Sequence, residues 1–334
     1  MLYLSYNEIH TTITQKLMAR GCSEENARRV ATVATDNTLE GVGSHGVNRV
    51  RRLLLGLDNG TVDGNALAER CGGFGGFEQW DGNLGIGILN ALTCTDRAIE
   101  LAREHGIGCV ALRNTTHWFR GGTYGWRIAE AGMVGMAFTT SKANMVYYGT
   151  REPLLGTVPF VLAVPRKEGP VVTDVSMAEY SFGKLEAAYL AGEALPTDGG
   201  YDQDGNISRD PMKVMKANHV LPMGRWKGSA LALAMDLCSA ALSLGNTSAD
   251  DRKNVGDAHS VSQTYIAIHS RAINSAEAEE EILNRTLAAI AEASPAPGHK
   301  GVRYPGESAL EKRRAGPNEP IAIAESVWAG IMEA

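Results

Sequence analysis

The chain has 334 residues, of which 44% are hydrophobic, with 32 basic side chains against 38 acidic ones and a formal net charge of −6 at pH 7. Such a length holds roughly two or three subdomains on a substantial core, and this hydrophobic content excludes a disordered chain. The acidic balance, with a pI near 5.8, argues against a nucleic-acid partner, which selects a basic surface. No apolar run approaches the roughly 18 residues of a membrane-spanning helix. Met1-Leu2-Tyr3-Leu4-Ser5 lacks the basic and apolar regions of a secretory signal, so a cytoplasmic location is expected. The five cysteines (Cys22, Cys71, Cys94, Cys109, Cys238) are odd in number and contain no C-x-x-C pair. They read as small buried residues in a reducing compartment rather than as a disulfide frame.

Ser5-x-x-Glu8 is a capping box ahead of Ile9, Ile13, Leu17 and Met18 at helical spacing, and Gly21 closes that helix. Ser23 opens a second helix with Ala27, Val30, Ala31 and Ala34 on one face. A third runs from Val47 to Leu57 and stops at Asp58-Asn59-Gly60. Residues 61–82 read as glycine-rich and irregular. Asn90–Glu104 is helical, closed by His105 and Gly106. Cys109–Leu112 is a short buried strand, Tyr124–Ala131 a helix ending at Gly132, and Met133–Thr139 a further strand. Pro159–Val175 has the pattern of a hairpin turning at Arg166-Lys167-Glu168-Gly169-Pro170. Ser181–Gly192 is helical, Leu195–Pro211 a long polar loop, and Ala230–Leu244 a very apolar helix. Val261–His269 alternates as a strand, Ala276–Ala293 is an acidic amphipathic helix, and a turn at Val302–Glu307 precedes two closing helical stretches. The expected class is mixed α/β. A helical N-terminal subdomain would span 1–75, with the C-terminal helices of about 276–334 packing on it, and a mixed α/β region would span 76–275.

Ser44-His45-Gly46-Val47-Asn48-Arg49 lies in the gap between the second and third helical patterns. Glycines 41, 43 and 46 permit a sharp turn and a close approach. His45 is a side chain able to hand over a proton near neutral pH. Arg49, one helical turn further, offers a planar fork for a carboxylate. An acid beside a carboxylate clamp points to oxidation or reduction of a small organic acid, although such a pair also serves merely to cap a helix. Asn114–Gly122, with His117, Trp118 and Arg120, is a second dense group of polar and aromatic side chains at a strand end. Lys227-Gly228-Ser229 sets a lysine near a helix start, where the dipole favours phosphate. Thr173-Asp174-Val175-Ser176 at a strand end could contact a ribose or a nicotinamide.

Other patterns fail on inspection. Gly85-Ile86-Gly87 opens a helix but lacks a third glycine and a clear preceding strand. Asp202-x-Asp204-Gly205 lacks the distant glutamate of a calcium loop and reads as a solvated turn. No histidine pair has zinc spacing, so no metal is expected. His10, His105, His219, His259, His269 and His299 are scattered and read as surface or capping residues. Gly-x-Ser-x-Gly and a Walker-type loop are both missing.

Further stretches complete a pattern: Glu78-Gln79-Trp80-Asp81, Ala98-Ile99-Glu100-Leu101-Ala102, His105-Gly106-Ile107-Gly108, Arg120-Gly121-Gly122, Tyr124-Gly125-Trp126, Leu221-Pro222-Met223-Gly224, Trp226-Lys227-Gly228-Ser229 and Ser326-Val327-Trp328. With the Ser44–Arg49 and His117-Trp118 segments, these resemble the malate/L-lactate dehydrogenase type 2 family of NAD(P)-dependent oxidoreductases, from the first helix nearly to the last residue. The resemblance implies a mixed α/β, non-Rossmann NAD(P)-binding fold with a helical N-terminal subdomain. It implies His45 as proton donor, Arg49 with Ser44 on the substrate carboxylate, and His117, Arg120 and Thr140 in the substrate pocket. It implies a cofactor, NADH in preference to NADPH, held by Val172, Thr173, Asp174, Val175 and Ser176, by Trp226 and Lys227, and by Gly306, Glu307 and Ser308. It also implies a homodimer whose subunits share the cofactor site. Asp198 is a candidate to orient His45. The sequence departs from the family at Thr140 and Val158, where asparagine is common, and at Val146, where proline is. Those positions put substrate choice in question between a 2-oxo or 2,3-dioxo sugar acid, which the Trp118, Arg120 and Trp126 cluster favours, and malate, lactate, sulfolactate or a cyclic imine.

Overall fold

The computed structural model describes residues 1–250, 259–299 and 301–334. A short strand β1 (Leu2–Leu4) leads into α1 (Tyr6–Met18) through the expected capping box, in which the Ser5 hydroxyl accepts the Glu8 N–H and the Glu8 carboxylate accepts the Ser5 N–H. Ser23 caps α2 (Glu24–Leu39). Two 3-10 turns, Gly43–His45 and Val47–Arg49, then precede α3 (Val50–Asp58). The third helix thus begins later than its apolar pattern, because Gly46 between the turns takes φ −121°, ψ −123°, neither helical nor extended.

The segment expected to be irregular contains a hairpin, β2 (Glu69–Phe74) and β3 (Phe77–Asp81). Its glycines hid it: Gly73 lies so close to the Phe77 carbonyl that a Cβ would sit 2.7 Å from it, and Gly75 turns at φ +55°. There follow α4 (Gly87–His105), β4 (Ile107–Thr116), α5 (Gly122–Glu130) and β5 (Val134–Thr139). A pair of small strands, β6 (Met145–Val146) and β7 (Pro153–Leu155), precedes the predicted hairpin of β8 (Phe160–Val164) and β9 (Val171–Val175). Next comes α6 (Phe182–Ala191), capped by Ser181 and ended by left-handed Gly192. The supposed polar loop carries β10 (Gly200–Tyr201) and β11 (Ile207–Ser208) around a turn in which Asp202 accepts the N–H groups of Asp204 and Asn206. The chain continues through α7 (Pro211–Ala217), β12 (His219–Val220), α8 (Trp226–Ser243), β13 (His259–Ile268), α9 (Ala276–Ala291), α10 (Glu307–Ala315), β14 (Ile321–Ile323) and α11 (Glu325–Glu333).

The seven-stranded sheet has the order β2-β3-β4-β13-β5-β8-β9, and within it only β3 and β4 pair in parallel. Strand alternation on β4 separates two faces: Gly108 packs on Ala98 and Leu101 of α4, whereas Cys109 lies beside Cys238 of α8. The main core joins α1, α2, α3, α4 and α5 to the sheet. At the termini β14 pairs with β1 and α11 contacts α3, while α9 meets the β8–β9 turn through Glu280 and Asn284. A second, smaller core gathers Met145, Leu155, Val158, Met177, Leu185, Leu195, Val214 and Val220. Leu185 is the one buried side chain of α6. Cys22 and Cys94 are buried as expected, but Cys71 and Cys238 are exposed, so apolar burial does not explain them. Among the described residues no helix is long and apolar enough to cross a membrane.

Leu54 is fully buried on α3, the helix that continues from the His45–Arg49 turns. Leu54→Ala is expected to lower the unfolding free energy by about 3 kcal/mol in urea titrations. A loss under about 1 kcal/mol would mean that α3 does not anchor this region.

Candidate active site

Strands β4, β5 and β9 run in the same direction, since β13 and β8 pair antiparallel with their neighbours. Their C-terminal ends therefore open on one edge of the sheet. His117 follows the end of β4, Thr140 follows β5, and Ser176 follows β9. Ligands of open α/β sheets gather at such edges.

Against this edge stands the turn that carries His45. Thr38 on α2 accepts the Val47 N–H with its hydroxyl (2.9 Å), and Asn37 donates its amide to the His45 carbonyl (3.0 Å). A Cβ on Gly46 would overlap the Thr38 hydroxyl, so glycine is required for this approach. Ser44 Oγ lies 3.0 Å from His45 Nδ1. The His45 and His117 rings stack with centroids 6.0 Å apart. Arg49 Nη2 lies 3.0 Å from His117 Nε2. The structure thus brings Ser44, His45, Arg49 and His117 into one group. Tyr124 and Tyr265 pack on Trp118, the residue after His117, and burial pushes both phenols far up.

Other predicted positions lie elsewhere in the network. Arg120 is 7% exposed and forms an ion pair with buried Glu40, which Arg313 also contacts at 3.1 Å. Thr140 is 2% exposed; its N–H donates to the Ser262 carbonyl and its hydroxyl accepts the Ser262 N–H. Asp198 pairs with Arg209 rather than with His45. Trp118 and Trp126 are core side chains, the first packed on Tyr124 and Tyr265 and the second beneath Arg313. Their presence therefore says nothing about a sugar acid. The side chain of His259 lies outside the described residues.

The residues expected to hold a dinucleotide form a connected track. Val172 donates its N–H to the Pro305 carbonyl, and Gly306 (φ +89°) sits so close to Val172 that a Cβ would meet its N and O at 3.1 and 3.2 Å. The N-terminus of α10, with Glu307 and Ser308, therefore faces β9; the Ser308 hydroxyl accepts from Arg303. Asp174 accepts the Gly122 N–H at 2.7 Å. Beyond Val175 and Ser176, the Met177 carbonyl accepts the Met223 N–H, next to the start of α8 at Trp226 and Lys227, both exposed. Two helix N-termini are thus separated by about 16 Å of extended chain, five residues at strand rise. That spacing and the helix dipoles suit a molecule with phosphates in its middle. By contrast, Gly85-Ile86-Gly87 does follow a strand, β3, and opens α4. Its helix start is filled, however, because Gly87 donates to the Thr116 hydroxyl and a Cβ there would overlap the Thr116 and His117 carbonyls.

Sequence reasoning passed over Asn37, Thr38, Phe119 and Gly183. Gly183, in the first turn of α6, lies so near Ser44 that a Cβ would be 3.0 Å from its Cβ. Asn37, Thr38 and Gly183 meet partners in other elements, at His45, Val47 and Ser44, whereas Phe119 contacts His117 only two positions before it.

A histidine, an arginine fork and two helix N-termini gathered at one sheet edge define a site of the kind a nicotinamide-dependent oxidoreductase needs. A profile of the malate/L-lactate dehydrogenase family matches residues 4–332, and the chain belongs to that family. It is 39% identical over 328 residues to 2,3-diketo-L-gulonate reductase of Klebsiella pneumoniae, covering 98% of each chain. It is 38% identical to the protein of that name from Citrobacter koseri, with the same coverage. Sulfolactate dehydrogenase from Methanocaldococcus jannaschii superposes with a TM-score of 0.90 at 26% identity, over 99% of this chain and 96% of that one. The expected mixed α/β fold and the oxidoreductase assignment hold, and the substrate is a small molecule.

Asn37, 2% exposed, also accepts from the Thr123 hydroxyl (2.8 Å) and so ties the His45 turn to α5. Asn37→Ala is expected to lower kcat about tenfold while KM changes little, because it loosens the acid rather than the substrate contacts. Steady-state kinetics check this, and an unchanged kcat would show that the Thr38 contact alone holds the turn.

Proposed function

We propose that this enzyme uses NADH to reduce a keto group of a small oxo sugar acid, 2,3-diketo-L-gulonate foremost, to 3-dehydro-L-gulonate. The observation that carries the reading is the convergence of His45, backed by Ser44, with Arg49 and His117. The names of the two reductases to which this chain is 38% and 39% identical support the substrate. A bound nicotinamide supplies the hydride that reaches the carbonyl carbon. His45 donates the proton that turns the carbonyl oxygen into a hydroxyl. Ser44 Oγ faces His45 Nδ1, so the donation is assigned to Nε2. Arg49 holds the substrate carboxylate, so that one carbonyl meets the acid in a fixed orientation. Val172–Ser176, Trp226-Lys227 and Gly306–Ser308 hold the cofactor, with Lys227 near the phosphates. Arg120 supports the site from its pair with Glu40. The chemistry would serve a 2-hydroxyacid dehydrogenase of the malate, lactate or sulfolactate kind equally, a second reading favoured by the likeness to sulfolactate dehydrogenase. A binding protein without catalysis would have no need for an acid and a clamp so assembled.

We also infer a homodimer formed through α8. That helix turns small or polar side chains inward (Gly228, Ser229, Ala232, Asp236, Ser239, Ser243) and leaves Leu231, Leu237 and, just beyond it, Leu244 half-exposed or more. A helix with its leucines outward is an unsatisfied surface, and a second copy of this chain would cover it symmetrically.

The first test measures oxidation of NADH, with NADPH in parallel, on 2,3-diketo-L-gulonate, pyruvate, oxaloacetate, sulfopyruvate and a cyclic imino acid. Diketogulonate is expected to be turned over fastest, and faster turnover of another acid would replace the substrate while keeping the reaction. His45→Ala should reduce kcat by roughly a hundred- to ten-thousandfold in a folded protein, and full turnover would remove His45 from the role of acid. Leu231→Glu combined with Leu237→Arg should sediment as a monomer. A persistent dimer would place the interface elsewhere.

A further inference from the structure

Gly183 stands second in α6, directly behind the Ser181 cap and Phe182. Its φ lies outside the left-handed region, so the backbone does not call for glycine. Glycine is also the poorest helix former after proline. The reason for it lies in the surroundings. Beyond its own helix and chain neighbours, and among the described residues, a Cβ built there meets two atoms within 4 Å, both of Ser44: Cβ at 3.0 Å and Oγ at 3.2 Å. The same hydroxyl lies 3.0 Å from His45 Nδ1. Both backbones around this contact are held. The Ser44 turn is closed by the His45 N–H on the Val42 carbonyl and the Gly46 N–H on the Gly43 carbonyl, and Asn37 and Thr38 seat it on α2. On the other side, Leu185 is fully buried two residues beyond Gly183 and fixes α6 in the smaller core. The Ser44 hydroxyl, which turns about χ1, is the movable part.

We propose that Gly183 is a positioning residue for the reaction: the bare first turn of α6 leaves Ser44 the room in which its hydroxyl faces His45 Nδ1. The inference rests on the reading of His45 as the acid, and adds that α6, remote from it in sequence, sets how Ser44 backs it. A methyl group at 183 would press on Ser44 at distances shorter than the 3.5 to 4.0 Å or so of relaxed carbon packing. Turning χ1 relieves the contact with Oγ but carries the hydroxyl away from Nδ1. The contact with the Ser44 Cβ yields only if α6 and the turn move apart. Either response lengthens the Ser44–His45 contact and weakens it.

The test compares Gly183→Ala, Ser44→Gly and the double variant, each as the full chain, on the oxo acid that the parent turns over fastest. Gly183→Ala is expected to lower kcat at least about threefold while KM stays within about twofold, because the acid and not the carboxylate clamp is disturbed. In the Ser44→Gly background both crowded atoms are gone, and the same substitution should change kcat by less than about twofold. A role in α6 alone would give the same loss in both backgrounds. A smaller loss in the parent, or an equal loss in the Ser44→Gly background, overturns the proposal. If Gly183→Ala does not fold, Ser44→Gly must restore folding, and a double variant that also fails overturns it. NMR of 15N-labelled histidine without substrate gives a second arm. The His45 ring signals, assigned by their loss in His45→Ala, should shift in Gly183→Ala, and signals that stay in place overturn the proposal. If the parent turns over no oxo acid, the proposed function fails, and the NMR arm still decides whether Gly183 governs the Ser44–His45 contact.

Discussion

The contact on which the site depends is the seating of the His45 turn on α2. Two side chains of that helix, Asn37 and Thr38, replace the backbone hydrogen bonds that a tight turn leaves open, and Gly46 lets the chains touch. Without that seat a pair of 3-10 turns would fray, since each closes few hydrogen bonds of poor geometry. Asn37 also accepts from Thr123 on α5, and α5 begins at the Gly122 N–H that Asp174 holds. One amide side chain thereby links the His45 turn in the helical part to β9, the strand of Asp174. Ser44 is in turn overlain by the first turn of α6 at Gly183, whose only buried anchor belongs to the second core.

How much of this was legible depends on the range of the interaction. Ser5, Ser23 and Ser181 were readable as caps because the groups they satisfy lie within three residues. The His45–Arg49 stretch stood out because its residue types are chemically unusual together. The β2–β3 hairpin was not readable, since glycines chosen for close backbone contact erased its alternation. Arg120 shows the converse limit. Its chemistry suits an anion, yet Glu40, eighty positions earlier, stands beside it and takes its charge. A buried pair of that kind is intelligible only once both partners are in place. Trp118 and Trp126 were likewise conspicuous in the sequence for a reason that proved to be packing.

Of the nine described non-glycine residues with positive φ, four follow the same geography. Asn114 and Phe119 flank the end of β4, Val158 precedes β8, and Arg225 starts α8, all with positive φ and none of them glycine. Three of the four lie close in sequence to residues assigned to the site, as is usual when surroundings over-determine a local conformation. Val158 is the extreme case, a β-branched residue at φ +34°, wholly buried and followed by proline. The asparagine that the family resemblance implies at this position enters that region readily, and valine does not. The valine is tolerated because its side chain fills the small core beside Met177 and Leu185, and because Ser141 Oγ lies 3.3 Å from its N–H. Ser141 in turn donates its N–H to Ser248, whose own N–H and hydroxyl are held by buried Asp236. The loop between Thr140 and Val158 is thus clamped from beneath by α8 and from above by the core under α6. An exchange of asparagine for valine here trades an amide for apolar packing without releasing the turn. Valine in place of asparagine therefore removes an amide from the loop while its path stays fixed by the same neighbours.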